Sequence, residues 1–91
     1  MSRFTGRSAL VTGAGGPQGI GFATARALGR EGARLAIAST TARIHDRVAE
    51  LADEGITASG HIGDLMEADV PARLVAEVLA AHDGRLDILV N

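Results

Sequence analysis

Thr12-Gly-Ala-Gly-Gly-Pro-Gln-Gly-Ile-Gly21 is the stretch on which the fold turns. The apolar run Ala9-Leu-Val11 precedes it and Phe22-Ala-Thr-Ala-Arg-Ala-Leu28 follows it, so a strand, a glycine-rich turn and a helix succeed one another. In that context a backbone can lie close to a pyrophosphate, because glycines have no side chain to hold it off. The helix that starts there adds N–H groups without intrahelical partners and the positive end of its dipole. The glycines divide the work. Gly13 and Gly15 are expected to allow a sharp turn with positive φ. Gly19 admits the phosphate to the backbone, and Gly21 lets the helix approach the strand. Gln18 and Ile20 sit on the rim, with Ile20 turned inward. A plain strand–helix connection has little need of five glycines in nine residues, since each loses more backbone freedom on folding than any other residue. A Walker-type ATP loop requires Gly-Lys-Ser/Thr, and the chain has no lysine. A methyl-donor-binding domain of similar layout stays open on the glycines alone.

Outward from this stretch the same alternation repeats. Residues 7–12 read as a first strand and residues 19–31 as a first helix, closed by Gly32 in the left-handed position. Residues 33–38 are a second strand, apolar almost throughout, and Ser39, Thr40 and Thr41 then offer hydroxyls to cap a helix over residues 42–54. Its apolar stripe is Ile44, Val48, Leu51 and Ala52, with Arg43, Arg47, Glu50 and Asp53 mostly elsewhere. Residues 56–62 form a weaker third strand, broken by Gly60, and Gly63-Asp64-Leu65 opens a loop. A third helix spans residues 70–82; Pro71 is tolerated in its first turn, and Leu74, Val75, Val78 and Leu79 form its buried face. A fourth strand covers residues 86–90. Apolar strands alternating with amphipathic helices indicate a parallel sheet covered on both faces. The expected architecture is an α/β, Rossmann-type doubly wound sheet in the order 3-2-1-4, one incomplete domain over residues 1–91. Ligands bind beyond the carboxyl ends of the strands where the order reverses. That gathers residues 13–21, Ser39, Thr40, Arg43, Asp64 and Asn91 around one crevice.

Composition removes several functions. The chain is 91 residues long and 46% hydrophobic, with 2 Phe and neither Tyr nor Trp, so Ala, Leu, Val and Ile must build the core; Phe4 and Phe22 read as packing residues. Nine basic against eleven acidic side chains, net -2, offer no electrostatic basis for nucleic-acid binding. Without cysteine there is neither a disulfide framework nor a thiolate metal site. His45, His61 and His82 share no short metal-ligand spacing and are expected at the surface or an edge. Asp83 and Asp87 fall near the bottom of the fourth strand, away from the crevice. The opening Met-Ser-Arg-Phe-Thr-Gly-Arg lacks the apolar stretch of a secretory signal, and no run approaches the ~20 apolar residues of a membrane span. A soluble, cytoplasmic protein is the expectation.

Three motifs now stand in order: Thr12-Gly13 followed by Gly19-Ile-Gly21, Asp64-Leu65 after the third strand, and Gly84-Arg-Leu-Asp-Ile-Leu-Val-Asn91. Together they resemble the short-chain dehydrogenase/reductase family over essentially the whole chain. The family pattern has three residues between Thr-Gly and Gly-x-Gly; here residues 14–18 intervene, so the turn is two residues longer. The resemblance implies that Asp64 accepts a hydrogen bond from an adenine amino group and that Leu65 packs on the adenine face. It matches Asn91 to the first residue of the family's Asn-Asn-Ala-Gly motif, which steadies the central sheet and lines the cofactor site. The alternatives are that Asp64 caps the turn after it and that Asn91 is a frayed end.

The end of the second strand bears on which nicotinamide cofactor is taken. A free ribose 2'-OH is usually read by Asp or Glu about twenty residues after the glycines. Ser39 stands in that place, followed by Thr40, Thr41 and Arg43. Without a carboxylate there is nothing to repel a 2'-phosphate; the hydroxyls can donate to it and Arg43 can pair with it. NADP is favoured, with NAD as the alternative. In the resembled family a tyrosine, a lysine that lowers its pKa, a serine and an asparagine carry the hydride-transfer chemistry. This sequence has no Tyr or Lys, and Ser59, in the third strand, is no substitute. No catalytic residue is therefore assigned. The resemblance implies an NADP(H)-dependent oxidoreductase interconverting a small-molecule carbonyl and an alcohol, seen here as its cofactor-binding N-terminal half, from a homo-oligomer. The alternative is a nucleotide-binding or structural fragment without activity.

Overall fold

In the computed structural model, which describes residues 3–91, the apolar runs become strands that are covered on both faces. The four strands are β1 (Ser8–Val11), β2 (Arg34–Ser39), β3 (Ala58–Ile62) and β4 (Ile88–Val90), joined by helices α1 (Ile20–Arg30), α2 (Arg43–Asp53) and α3 (Val70–Ala81). All pairings are parallel and the order is β3-β2-β1-β4, as the sequence leads one to expect. Alternation along each strand divides the core in two. Ala9, Val11, Leu35 and Ile37 pack with Phe22 and Ala25 of α1 and with Ile44 and Leu51 of α2. Leu10, Ala36 and Ala38 face the other way, against Val70, Leu74 and Val78 of α3. At ~25 cal/mol per Å² of apolar surface removed from water, these two layers supply most of what offsets the chain's lost entropy.

Element ends differ from the sequence reading for local reasons. β3 starts at Ala58 because the Ile56 N–H turns back to Leu51 O (2.9 Å), which makes Ile56 part of the exit from α2. It runs unbroken through Gly60, which pairs with Ile37. The missing side chain there lets α2 come close: a Cβ on Gly60 would lie 3.1 Å from Val48 Cγ2 and 3.3 Å from His45 Nδ1. β4 starts at Ile88 rather than residue 86, and just before it the Asp87 N–H bonds to Ser8 O (2.8 Å) while its carboxylate accepts the Ser8 N–H (2.8 Å). On α3 the buried face is Val70, Leu74 and Val78, at i, i+4 and i+8, which leaves Val75 exposed and Leu79 half-buried. On α2, Ala52 is exposed, and Arg47 is buried between Ile44 and Leu51.

His61 and His82 are buried rather than at the surface, although His61 lies on the edge strand β3, while His45 is exposed. Beneath the end of α3, hydroxyls of β1 and β3 meet the two imidazoles. Ser8 Oγ lies 2.5 Å from His82 Nδ1, and Ser59 Oγ lies 3.3 Å from His82 Nε2 and 2.8 Å from His61 Nε2. His61 Nδ1 meets Glu77 Oε1 at 3.0 Å, and Arg73 pairs with Glu77. Burial holds the His82 imidazole below its usual pKa, and the nearby Arg34 guanidinium adds to this. The hydrogen bond with His61, then the Arg73 guanidinium, hold the Glu77 carboxyl below its usual range. Among the described residues no helix is long and apolar enough to cross a membrane, and no group of side chains could hold a metal ion.

Candidate functional site

The carboxyl ends of β1, β2 and β3 open onto a cavity of about 350 Å³. The turn after β1 lines it with Thr12, Gly13, Gly15 and Gly16; the end of β2 adds Ser39, Thr40 and Arg43; and the loop after β3 adds Gly63, Asp64 and Leu65. Seven residues singled out in the sequence thus meet in one place: Gly13, Gly15, Ser39, Thr40, Arg43, Asp64 and Leu65. Gln18, Gly19, Ile20, Gly21 and Asn91 do not line this cavity.

Hydrogen bonds on both sides hold the start of the turn. Thr12 donates its N–H to Val90 O (3.0 Å) and Ala14 donates to Ala38 O (3.0 Å), so the chain leaves β1 still pinned between its neighbours. Gly13 has φ +65°, the left-handed conformation that glycine alone adopts without strain. Gly15 has no positive φ, contrary to expectation; its lack of a side chain serves a close approach instead. A Cβ there would lie 2.8 Å from Ser39 Cβ and 2.9 Å from its Oγ. The Gly19 N–H closes a turn on Gly16 O (3.2 Å), and Gly19, in extended conformation, then starts α1 without a side-chain cap. The first N–H groups of α1 have no intrahelical acceptors. At Gly21 a Cβ would lie 2.5 Å from Gly13 O, so this glycine does allow the helix against the turn.

Ile20 points outward, 87% exposed, which reverses the expected inward orientation. At ~100° per residue the helix carries position 22 almost to the opposite side of position 20. Phe22 takes the inward direction and is buried with Ala25.

At the end of β2 the hydroxyls organise the corner. Ser39 Oγ donates to Thr41 O (2.8 Å) and accepts the Thr41 N–H (3.4 Å), while Thr41 Oγ1 accepts the Arg43 N–H (3.4 Å). Thr40 is exposed. Arg43 extends along the cavity, with its Nη2 3.8 Å from the site of a Gly15 Cβ, and makes no ion pair among the described residues. Across from it, Asp64 Oδ1 accepts the Met66 N–H (2.9 Å), the turn-capping bond that was one of its two sequence readings. Asn91 is not loose: its Oδ1 accepts a hydrogen bond from Thr12 Oγ1 (2.9 Å), which ties the end of β4 to the mouth of β1. It lines a second, apolar groove of about 260 Å³ beside α3, with Leu65, Pro71, Val75 and Leu89.

One residue escaped the sequence reading. Arg47 is 9% exposed and donates from Nη1 to Gly15 O (3.2 Å), with its guanidinium paired to Glu50 and 5.7 Å from the centre of the Phe22 ring. The signal that reveals it is spacing: it falls three residues after Ile44 and four before Leu51, on the buried stripe. The site as a whole offers backbone N–H groups, a guanidinium without an ion pair among the described residues and a carboxylate, an arrangement suited to holding an anionic nucleotide rather than to moving protons.

A family model described as short chain dehydrogenase matches residues 7–91. The chain is 42% identical over 95 residues to the oxidoreductase UcpA of Salmonella typhimurium, an alignment that covers 100% of this chain and 34% of that protein. It superposes on a short chain dehydrogenase from Mycobacterium smegmatis with a TM-score of 0.93 and 32% identity, covering 100% of this chain and 38% of that one. A metagenomic short-chain oxidoreductase, solved in complex with NADP, gives a TM-score of 0.84 and 39% identity, over 94% of this chain and 38% of that one. The chain thus spans about a third of the length of the relatives it matches.

Proposed function

The chain belongs to the short-chain dehydrogenase family, and from that premise we propose that it forms the NADP(H)-binding segment of an oxidoreductase that interconverts a carbonyl and an alcohol. The observation that carries the reading is the end of β2, where no carboxylate stands and the Arg43 guanidinium has no ion pair among the described residues while lining the cavity. A 2'-phosphate finds at the end of β2 a cation and no carboxylate. The cavity, at about 350 Å³, suits the adenosine half of a dinucleotide. In this reading Asp64 and Leu65 meet the adenine, Thr40 and Arg43 the 2'-phosphate, and Gly13, Gly15, Gly19 and the start of α1 the pyrophosphate. The rest of the cofactor extends past Thr12 and Asn91. Gln18 and Ile20 are exposed rim residues beside its path, and Gly21 acts from beneath by keeping α1 close.

When bound, the cofactor supplies the hydride chemistry, and the protein supplies position and charge. This chain's residues bind and orient. With no tyrosine and no lysine in the sequence, residues 1–91 alone are proposed to carry no dehydrogenase activity. A small-molecule carbonyl or alcohol as substrate, a homo-oligomeric whole protein and a cytoplasmic setting belong to the same proposal. They rest on the family likeness.

Titration of the full-length protein that carries this chain, with NADPH and with NADH and followed by nicotinamide fluorescence, tests the reading. Tighter binding of NADPH is expected. Tighter binding of NADH would move the protein to the NAD alternative, and failure to bind either would overturn the proposal.

A further inference from the structure

A buried arginine behind a phosphate-binding turn needs a reason, because a cation removed from water is costly unless it is paired. Arg47 is tied at three places: to Glu50 on its own helix, to the face of Phe22 on α1, and to the carbonyl of Gly15 in the turn. Its Nε, also buried, has no hydrogen-bond partner among the described residues. Apolar residues on either side, Ile44 and Leu51, pack into the core in the ordinary way. Only at position 47 does this stripe carry a charge, and that charge is aimed at the one stretch in which the sequence is two residues longer than the pattern it resembles.

The peptide that Arg47 holds lies in the middle of that stretch. Before it, the ladder bond from Ala14 to Ala38 fixes the chain; after it, the turn from Gly16 to Gly19 fixes it again. Between these two points Gly15 and Gly16 are the residues with the greatest backbone freedom. The space on one side of Gly15 is closed by Ser39. The direction of its carbonyl is set by the Arg47 guanidinium. Among the described residues no peptide bond is cis, so the carbonyl of Gly15 and the N–H of Gly16 point in opposite directions. With the carbonyl drawn toward α2, the Gly16 N–H is turned away from Arg47, and Gly16 lines the cavity.

We propose that Arg47 is a positioning residue for the dinucleotide: by holding Gly15 O it keeps the lengthened turn in the conformation that presents the Gly16 N–H to the phosphates. Arg47 does not itself line the cavity, so it acts through the turn. The proposal rests on the reading of the cavity as a dinucleotide site. It separates the roles of two arginines on one helix: Arg43 faces the part of the ligand that distinguishes NADP from NAD, and Arg47 supports the part that both share.

The test uses the full-length protein that carries this chain, with Arg47→Met and Arg47→Lys. Met keeps the apolar stem without the donors, and Lys restores a single donor. Arg47→Met is expected to weaken NADPH and NADH alike, by about tenfold each, as a lost charge-assisted hydrogen bond predicts. Arg47→Lys should recover part of both. Hydrogen exchange of the free proteins gives a second readout, in which the Gly19 amide, bonded to Gly16 O across the turn, exchanges faster in Arg47→Met while the amides of α2 and β2 keep their protection. Unchanged exchange at Gly19 would overturn the proposal. So would a loss of protection spread evenly over α2 and β2, which marks a purely structural residue, or a loss of affinity confined to NADPH. If the unaltered protein binds neither dinucleotide, the functional reading fails on its own, and the exchange comparison still decides whether Arg47 holds the turn.

Discussion

Ser39 of β2 occupies the space that a side chain on Gly15 would need: a Cβ on Gly15 would lie 2.8 Å from Ser39 Cβ and 2.9 Å from Ser39 Oγ. The end of one strand and the turn after another are therefore fitted to each other, and a change in either disturbs the cavity between them. Gly15→Ala should push the turn away from β2, with a loss of ~1–3 kcal/mol in stability, the usual cost of overpacking, and weaker dinucleotide binding. Gly19→Ala makes the contrast. Its Cβ would meet only Gly16 O, at 3.6 Å, so stability should change by no more than ~1 kcal/mol. Binding should still fall, because the methyl group stands where a phosphate approaches the start of α1. Urea unfolding and cofactor titration of both variants check this. A Gly15→Ala protein as stable as the parent would show that the turn yields freely.

The same corner governs cofactor choice. Ser39→Asp places a carboxylate where a ribose 2'-OH can donate to it and a 2'-phosphate is repelled, so preference should move toward NADH. Arg43→Ala should weaken NADPH more than NADH, by ~1–3 kcal/mol for a well-formed pair. Because Arg43 is exposed, that difference should shrink as salt is raised. Titrations of both variants at low and high ionic strength measure it. Equal losses for the two cofactors would remove Arg43 from the 2'-phosphate site.

The fold was legible in the sequence because its main signals are local. Ala9-Leu-Val11 and Leu35-Ala-Ile-Ala38 are apolar on both faces, which only a strand covered on both sides requires, and glycine punctuation separates them from helices with clear stripes. Four features depend on what is distant in sequence. Arg47 reads as a surface charge until Gly15 and Phe22 are seen to pack around it. The burial of His61 and His82 involves partners far along the chain, Glu77 of α3 at His61 and Ser8 of β1 at His82. The outward turn of Ile20 follows from the phase of α1, which is set by Phe22 entering the core. The sequence suggests a special φ at Gly15, whereas its neighbour Ser39 dictates its identity. In the site, the residues nearest the strand ends were recoverable from topology alone, and those set by side-chain direction were not.

Stability should fall on mild acidification, and His82 accounts for the first part of the fall. Its pKa in the folded protein lies below the usual ~6.5 of the unfolded chain. As pH falls below ~6.5 the unfolded state takes up a proton that the folded state does not, which favours unfolding until the folded-state pKa is also passed. Ser8 and Ser59 touch the ring, Arg34 opposes its charging, His61 adds to that and Asp83 counters it. Glu77 acts in the same direction at lower pH: its pKa is depressed in the fold, so its contribution, present above the usual carboxylate range, is lost as pH falls through the folded value. Urea unfolding of the full-length protein between pH 7.5 and ~3.5 should show the decline, and His82→Gln should flatten its upper part while leaving the Glu77 part. An unchanged slope in His82→Gln would assign the effect elsewhere.

The outer edge of β4 decides how residues 1–91 behave in isolation. β4 is three residues long, and among the described residues β1 is its only partner in the sheet. Its outer backbone groups form an open row, and neither Lys nor Pro interrupts Ile88-Leu-Val90 to protect it. Leu89, level with Leu10 in the register, points to the α3 side and is 60% exposed. Val75 and Leu65, each 37% exposed, continue the apolar surface around the groove beside α3. An edge that can template another strand, next to apolar surface that gains from burial, favours association. The isolated polypeptide of residues 1–91 is therefore expected to dimerise through β4 or to aggregate rather than to persist as a monomer. Leu89→Lys puts a charge on that surface and should move the population toward monomer without changing the secondary structure. Sedimentation velocity, paired with hydrogen exchange over residues 88–90, follows both. A monodisperse monomer with strongly protected amides in Ile88–Val90 would mean that β1 alone is enough to secure the edge strand.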